Sequence, residues 1–208
     1  TLSSMSGLPG CTLGVLRPWA LKFYNGRGYF GAVCTGENAS QVNNTEQDVA
    51  RGYLKSYVLS FDPSNPTAAT IELTIPMTYT RGQANSNSHT YNSQWFAWTD
   101  TWNYGLWTNG TATEPLPPLN SEREASRPSP ILSDIEFAKN GTMVIGFRDR
   151  SADMMGATNY PPDSTNYQID YRSGGDILCA ARVGGVWQME SGGYCNGAPG
   201  ANLVTTFP

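Results

Sequence analysis

Charged side chains are scarce in this 208-residue sequence, at 14% of all residues against roughly 25% in typical globular domains. Lysine plus arginine total 13 and aspartate plus glutamate total 17, so the net charge is -4 and there is no broad basic field. That balance argues against nucleic acid as a partner. The polar surface is therefore formed mainly by Asn, Ser, Thr, Gly and Gln, a composition typical of secreted or surface-exposed proteins.

Histidine is almost absent. His89 is the single example and sits in a Ser/Asn-rich loop, which argues against a His-dependent catalytic triad or a multi-His metal site. The sequence also lacks Cys-x-x-Cys, Gly-x-Ser-x-Gly and a phosphate-cradling Gly-rich loop. The chemistry left open to this chain is that of carboxylates and of calcium.

Long apolar runs are missing too. No stretch approaches the ~20 residues of a membrane span, so we expect no membrane insertion. An initiator Met and a charged-then-apolar leader are also missing. We therefore expect Thr1 to be either a mature N-terminus or a cut inside a longer chain, of which these residues would be a fragment.

Cysteine is used four times, in two pairs that are local in the sequence: Cys11 with Cys34, and Cys179 with Cys195. Three pairings are open to four cysteines, and four free thiols are a further alternative. We favour the local pairing, because closely paired strands hold such residues within bridging distance. Disulfides would indicate an oxidising compartment, and hence an extracellular or cell-surface protein.

The sequence does contain a hairpin pattern that occurs twice. In residues 133–148 apolar residues alternate with polar ones, a Lys-Asn-Gly turn follows, and an apolar strand returns. Residues 20–32 repeat this pattern at an offset of 114 residues before the turn and 115 after it, since Lys139 is an added turn residue. The matched positions are Leu21 with Ile135, Phe23 with Phe137, Asn25-Gly26 with Asn140-Gly141, and Gly31 with Gly146.

A third hairpin is predicted over residues 176–190, with Gly184-Gly185 in its turn. Recurring hairpins are typical of all-β repeat architectures. We therefore predict one all-β domain over residues 1–208, either a β-propeller or a propeller-like stack of antiparallel hairpin blades with long loop insertions. The copies should pack side by side through their aliphatic faces. Three hairpins are too few for a closed ring of typically four to eight blades, unless further strands lie in the loops.

An aromatic- and Pro-rich insertion spans residues 81–130 and carries four of the six tryptophans. Flat rings in a polar loop stack on sugars or anchor protein interfaces, so this group is the candidate binding site. The equally weighted alternative is that the rings fill a small local core. The group comprises Trp95, Phe96, Trp98, Trp102, Tyr104 and Trp107.

Two aspartates give a candidate calcium site. Asp149 and Asp153 begin the densest acidic stretch, and a loop after a strand can supply the six to eight oxygens that calcium prefers. Arg148 and Arg150 flank Asp149, however, so structural ion pairs are the favoured interpretation. We expect no cofactor, with calcium as the alternative.

Asp134 and Glu136 lie two residues apart on one strand, at roughly 7 Å, within the range that glycoside hydrolysis requires of two carboxyl groups. The matched positions of the first hairpin are Ala20 and Lys22, which carry no such pair. A hydrolase using these carboxylates is therefore the alternative to a non-catalytic role.

Four segments together carry a family resemblance: residues 17–37, 57–63, 132–150 and 174–178. In that order they resemble the propeller-like region of large bacterial cell-surface proteins, which often carry serine-aspartate-repeat B-type immunoglobulin-like modules. The resemblance spans most of the chain and is weakest over residues 81–130.

The resemblance implies a non-catalytic extracellular module with a structural or adhesive role, including assembly into a filament, and it supplies no catalytic residue. The expected partners are other copies of the chain or other surface proteins, with polysaccharide as a further candidate.

Overall fold

The computed structural model describes residues 4–39, 50–81, 94–100, 122–161, 168–190 and 195. Sheet 1 consists of β1 (Leu16–Tyr24), β2 (Arg27–Cys34), β3 (Lys55–Asp62) and β4 (Asn65–Pro76). A short parallel pair is formed by β5 (Glu122–Ala125) and β8 (Gln168–Tyr171). Sheet 2 consists of β6 (Pro130–Phe137), β7 (Met143–Asp149), β9 (Asp176–Val183) and β10 (Val186–Met189), and helix α1 (Arg150–Met155) follows β7.

Both four-stranded sheets are antiparallel throughout, and in each one the strands lie side by side in chain order. The all-β prediction is confirmed. A closed propeller is not seen in the described part of the chain, which forms two sheets of this kind and the small parallel pair.

The repeated hairpin is confirmed down to its strand register. Leu21 pairs with Phe30 in sheet 1, and its match Ile135 pairs with Ile145 in sheet 2. Each first strand also carries an irregularity at the matched place, between Pro18 and Leu21 in β1 and between Leu132 and Asp134 in β6. Because a bulge adds twist at a fixed point of a strand, its repetition shows that the two segments share one backbone path.

The hairpin turns have the chemistry that the sequence predicts. Asn25 and Gly26 have φ values of 47° and 75°, and Gly184 and Gly185 have values of 60° and 86°. Two successive positive φ angles define the mirror-image turn that suits the twist of antiparallel strands. In the second hairpin Gly141 takes a positive φ of 83° after the added residue.

The two sheets stack front to back. Residues paired directly across strands share a face, so Leu21, Phe30, Leu59 and Ile71 lie on one face of sheet 1, here called the front. By the same matching, Ile135, Ile145 and Leu178 lie on the front of sheet 2. The main core joins the back of sheet 1 to the front of sheet 2, and it includes Tyr29, Val33, Val58, Leu73, Leu132, Ile135, Ile145 and Phe147.

This stacking corrects one expectation. The matched aliphatic residues do not face each other, since Ile135 is in the core whereas Leu21 points away from it. Sheet 1 instead offers its back, where Gly31 makes room for a neighbour. A Cβ atom on Gly31 would lie 2.4 Å from Cδ2 of Leu132.

The N-terminal segment covers part of the front of sheet 1. Ser6 bridges to Ala68 in β4, with the Ser6 amide donating to Thr67 O at 2.9 Å and Ala69 N donating to Ser6 O at 2.8 Å. Met5, Leu8 and Cys11 contact a smaller core on that front face, formed by Phe30, Ala32, Cys34, Tyr57 and Leu59.

The local disulfide pairing is confirmed. Cys11 bonds to Cys34 with their Cα atoms 5.3 Å apart, and Cys179 bonds to Cys195 with theirs 5.9 Å apart. The first bridge ties the N-terminal segment to the end of β2, and the second ties residue 195 to β9. Two disulfides fit an extracellular or secreted protein. Among the described residues no helix is both long and apolar enough to cross a membrane.

Candidate functional site

The structure buries the described half of the predicted aromatic site. Trp95, Phe96 and Trp98 are each at most 4% exposed. Trp95 Nε1 donates to the Tyr79 hydroxyl at 3.0 Å, and Trp98 Nε1 donates to Pro130 O at 2.9 Å. For these three residues the structure favours the local-core alternative over an exposed binding surface. Trp102, Tyr104 and Trp107 lie outside the described residues, and their role stays a prediction.

Arginine side chains lie over the buried rings. The Arg81 guanidinium carbon lies 4.6 Å from the Trp95 ring centroid, and that of Arg127 lies 5.1 Å from the Phe96 ring. Burial lowers the pKa of Arg127 to about 10, because the interior disfavours its charge. Both stacked pairs are buried, and they join residues 81 and 127, at the two ends of the insertion, to the rings at its centre.

Backbone hydrogen bonds attach the same segment at two points. Trp98 N donates to Thr35 O at 3.0 Å, just beyond β2, and Phe96 N donates to Pro128 O at 2.7 Å, just before β6. Residues 94–100 therefore join the end of sheet 1 to the approach of sheet 2. In this stretch the insertion is packed against the segments that flank both sheets.

Asp149, one of the two candidate calcium ligands, is a buried hydrogen-bond centre. Its Oδ1 accepts from Ser129 N and Ser151 N, both at 3.0 Å, and the second of these bonds caps α1. Its Oδ2 accepts from the Tyr171 hydroxyl at 2.9 Å and from Gly174 N at 3.2 Å. All four partners are protein donors, so both oxygens are already engaged.

The pKa of Asp149 is raised to about 6, and burial is the largest cause because it disfavours the carboxylate. The surrounding donors and the Arg81 charge oppose that rise. Asp149 thus ties together the segment before β6, the start of α1 and the segment before β9.

Asp153 has a separate environment. Its Oδ1 accepts from Arg148 Nη2 at 2.5 Å, and both side chains are solvent-exposed. Within the described ranges no group of three or more His, Cys, Asp or Glu side chains is placed to hold a metal ion. Arg148 therefore forms an ion pair with Asp153, whereas Asp149 is held by hydrogen bonds.

Asp134 and Glu136, the two carboxylates considered for hydrolysis, also have protein hydrogen-bond partners. Glu136 Oε1 accepts from Lys22 Nζ at 2.5 Å, an ion pair between the first strands of the two sheets. Asp134 Oδ1 accepts from the neighbouring Ile135 amide at 2.9 Å. The matched residues Lys22 and Glu136, 114 positions apart, therefore link the two copies.

The most distinctive surface is the uncovered part of the front of sheet 1. Leu21 is 60% exposed and Phe23 is 59% exposed, and Trp19 beside them is 55% exposed. Their matches in sheet 2 are covered: Ile135 is fully buried, and Phe137 is packed against the main core. Ile71 extends the same exposed face. A run of large apolar side chains that a neighbouring sheet would cover is a mark of an interaction surface.

The back of sheet 2 has a matching surface. Ile177 is exposed there, as are Val183 and Val186 near the last turn. Gly146, the match of Gly31, leaves the same gap, but here a Cβ atom would meet only residues of its own sheet, the nearest being Asp134 Cβ at 3.5 Å. On the back of sheet 2, Gly146 therefore leaves a gap at the position that matches Gly31, whose gap receives the Leu132 side chain on sheet 1.

The sequence repeat aligns Leu21 and Phe23 with Ile135 and Phe137, but it does not predict that the two pairs differ in burial. A signal was present, because β1 has apolar residues on both faces, with Leu21 and Phe23 on the front and Ala20 and Tyr24 towards the core. A strand that is apolar on both faces is typical of burial on both sides.

Comparison with known proteins gives matches to the colossins of Dictyostelium discoideum. The chain is 29% identical to Colossin-A over 188 residues, which is 89% of this chain and 1% of Colossin-A. It is 30% identical to Colossin-B over 196 residues, 88% of this chain and 4% of Colossin-B. Colossin-C matches at 23% identity over 201 residues, 94% of this chain and 15% of that protein.

These relatives overturn the resemblance drawn from the sequence. The matched proteins are eukaryotic, so the assignment to bacterial cell-surface proteins is wrong. No family model matches the chain, and no solved structure matches it significantly. The chain spans 15% or less of the length of each of these three relatives.

Proposed function

We propose that this chain is a non-catalytic extracellular structural module that associates with further copies of itself by stacking sheets front to back. The two described sheets then act as consecutive blades of a propeller-like stack. The observation that carries the proposal is the exposure of Leu21 and Phe23 at positions whose matches are covered in sheet 2.

The partner surface is the back of sheet 2 of a second copy. Within the chain, the front of sheet 2 is covered by the back of a sheet with the same topology and register. The back of sheet 2 belongs to a sheet of that same topology and carries exposed Ile177 and Val186, and at Gly146 it has a position where a Cβ atom would make only ordinary contacts within the sheet. A contact between two different surfaces of the same chain is heterologous, and it builds either a closed ring or an open filament.

The apolar chemistry supports stacking over glycan binding at this face. Leu21 and Ile71 offer no hydrogen-bonding atoms beyond the backbone, and Phe23 packs edge-on against Phe61 with ring centroids 6.1 Å apart. Covering such side chains removes apolar area from water at about 25 cal/mol per Å². Another β-sheet is the surface that supplies such cover within this fold.

Sedimentation velocity over a concentration series tests the proposal. The native chain should form oligomers of increasing mass, and the double variant Leu21→Asp with Phe23→Asp should remain monomeric because each aspartate would be buried without a partner. Ile177→Asp with Val186→Asp, on the opposite surface, should have the same effect.

Met154→Asp on α1 is the matched control, since Met154 is also an exposed apolar residue but lies on neither stacking face. It should associate like the native chain. A native chain that stays monomeric, or a front-face variant that still associates, would contradict the proposal.

A further inference from the structure

A cleft opens between the two sheets at the end where their hairpin turns converge. Its volume is about 440 Å³, within the range of small-molecule sites. All three predicted hairpins contribute to it: Asn25 from the first turn, Asn140 from the second, and Arg182 beside the third. The lining does not include Leu21, Phe23, Ile177 or Val186, so ligand binding in the cleft does not depend on self-association.

The charged residues that line the cleft are both arginines, Arg27 and Arg182, in a chain whose net charge is -4. Arg27 Nη2 donates to Ser60 Oγ at 2.7 Å, and Ser60 Oγ donates to Glu72 Oε1 at 2.5 Å. Arg182 Nη2 lies 3.6 Å from Glu72 Oε2. Two guanidinium groups thus face one carboxylate, which leaves a positive charge at the cleft. Asp62, near Arg27, is exposed to solvent that screens its charge.

Aromatic rings supply the apolar part of the cleft. Tyr24 is stacked on Phe137 with ring centroids 4.0 Å apart and an interplanar angle of 6°, so its orientation is fixed. Arg182 lies over the Trp187 ring at 4.8 Å. The Trp187 Nε1 donor is buried and has no hydrogen-bond partner among the described residues. A buried donor left in this state costs free energy that a nearby acceptor would recover.

Polar turn residues complete the lining. Asn140 Oδ1 accepts from Thr142 N at 3.1 Å, which holds the side-chain amide in place at the rim. Asn25 lies at the first turn, has a positive φ and is exposed. The side-chain amides of Asn25 and Asn140 and the hydroxyl of Thr142 thus lie beside aromatic rings. Such amides and hydroxyls recognise sugar hydroxyls, and aromatic rings stack on sugar faces.

From these observations we infer that the cleft binds an acidic saccharide, whose carboxylate is held by Arg27 and Arg182 and whose ring lies against Tyr24 and Trp187. Arginine is suited to the carboxylate because its guanidinium can donate two parallel hydrogen bonds. A peptide is the weaker candidate. Strand addition requires an unpaired strand edge, whereas turns form most of this cleft.

Isothermal titration calorimetry with trigalacturonic acid tests this site. The native chain should bind it, and maltotriose, a neutral trisaccharide, should bind at least about tenfold more weakly because it lacks the carboxylates. Arg182→Gln should weaken trigalacturonate binding by about tenfold or more. Arg27→Gln should act in the same direction and provides a second test of the same charge.

Arg148→Gln is the matched control. Arg148 is an exposed arginine that lies outside the cleft lining and pairs with Asp153. It should change the affinity by less than about twofold. The inference is overturned if trigalacturonate gives no binding, if maltotriose binds equally well, if Arg148→Gln weakens binding as much as Arg182→Gln, or if triglutamate binds as tightly as the sugar.

Discussion

Sheet 1 and sheet 2 have the same strand order, register and bulge position, yet matched residues lie in opposite environments. Leu21 is 60% exposed, whereas Ile135 is fully buried. The backbone of a hairpin is therefore set by its own alternation and turn residues, but the burial of its faces is set by what stacks on them. A front-to-back stack of two sheets leaves one front and one back without a sheet partner, and here the described residues that contact these faces include the N-terminal segment and Cys195.

The ends of the second strands teach the same lesson. Cys34 and Asp149 occupy matched positions, each paired with the first residue of its neighbouring strand. In sheet 1 this residue forms a disulfide to Cys11, and in sheet 2 it accepts four hydrogen bonds. One position of the repeat thus fastens a different flanking segment in each copy, by covalent or by polar chemistry.

The largest expected effect compares Ile135 with Leu21. Ile135→Ala should lower the free energy of unfolding by about 2–5 kcal/mol, because it leaves a cavity between the sheets. Leu21→Ala should change that of the monomer by less than about 0.5 kcal/mol, because Leu21 is mostly in solvent. Urea denaturation at low protein concentration measures both. Equal losses would show that the front of sheet 1 is covered.

Asp149→Asn should destabilise the monomer by about 2–3 kcal/mol, because an amide cannot accept all four hydrogen bonds and leaves a buried donor unpaired. Asp153→Asn, which affects an exposed ion pair, should cost less than about 1 kcal/mol. Thermal unfolding of both variants provides the comparison. If the Asp149→Asn protein is as stable as the native chain, Asp149 does not stabilise sheet 2 as the Cys34 disulfide is inferred to stabilise sheet 1.

The two matched glycines provide a finer test of the stacking. Gly31→Ala should cost about 1–3 kcal/mol, since its Cβ would collide with the buried Leu132 side chain. Gly146→Ala should be close to neutral in the monomer, because its Cβ would make ordinary contacts only. Self-association should nevertheless weaken in Gly146→Ala, because the methyl group occupies the gap offered to the second copy. If both substitutions lower the free energy of unfolding equally, the back of sheet 1 is not the face that packs against Leu132 and sheet 2.

The smallest expected effect depends on pH and affects sheet 2 alone. Burial and the nearby Asp176 charge raise the pKa of Glu190 to about 7, from an ordinary value of 4.5. An acid whose folded-state pKa is raised binds more protons when folded, so its contribution to stability falls as pH rises from about 4.5 to about 7. Glu190→Gln should remove that part of the slope in a series of unfolding curves. If the slope of the unfolding free energy against pH is unchanged in Glu190→Gln, the raised pKa of Glu190 is contradicted.

Much of the fold could be predicted from the sequence because the signals are local. Asn-Gly and Gly-Gly turns, alternating apolar residues and cysteines close to paired strands each act over a few residues. Together they predict the hairpins, the register repeat and the disulfides. Alternation shows that a face is buried, but it does not show which element buries it. That is why Leu21 and Ile135 were expected to share an interface.

The sites were harder to predict, for a related reason. Asp149 was a candidate calcium ligand beside the favoured ion pairs, and the hydrogen-bond partners it has instead, Tyr171 and Gly174, lie 22 and 25 residues further on, beyond any local pattern. Trp95 and Trp98 lie in a polar stretch, and composition does not reveal that Tyr79 and Pro130 receive their indole N–H groups. Burial decided both cases, and burial depends on the tertiary fold.

Residue-resolved hydroxyl-radical footprinting of the native chain, at low and at high protein concentration, tests front-to-back stacking most directly. Front-to-back stacking predicts that Leu21 and Phe23 become protected at high concentration together with Ile177 and Val186, while Met154 keeps its reactivity. Protection of Leu21 and Phe23 without Ile177 and Val186, or no protection at any of the four, would contradict it.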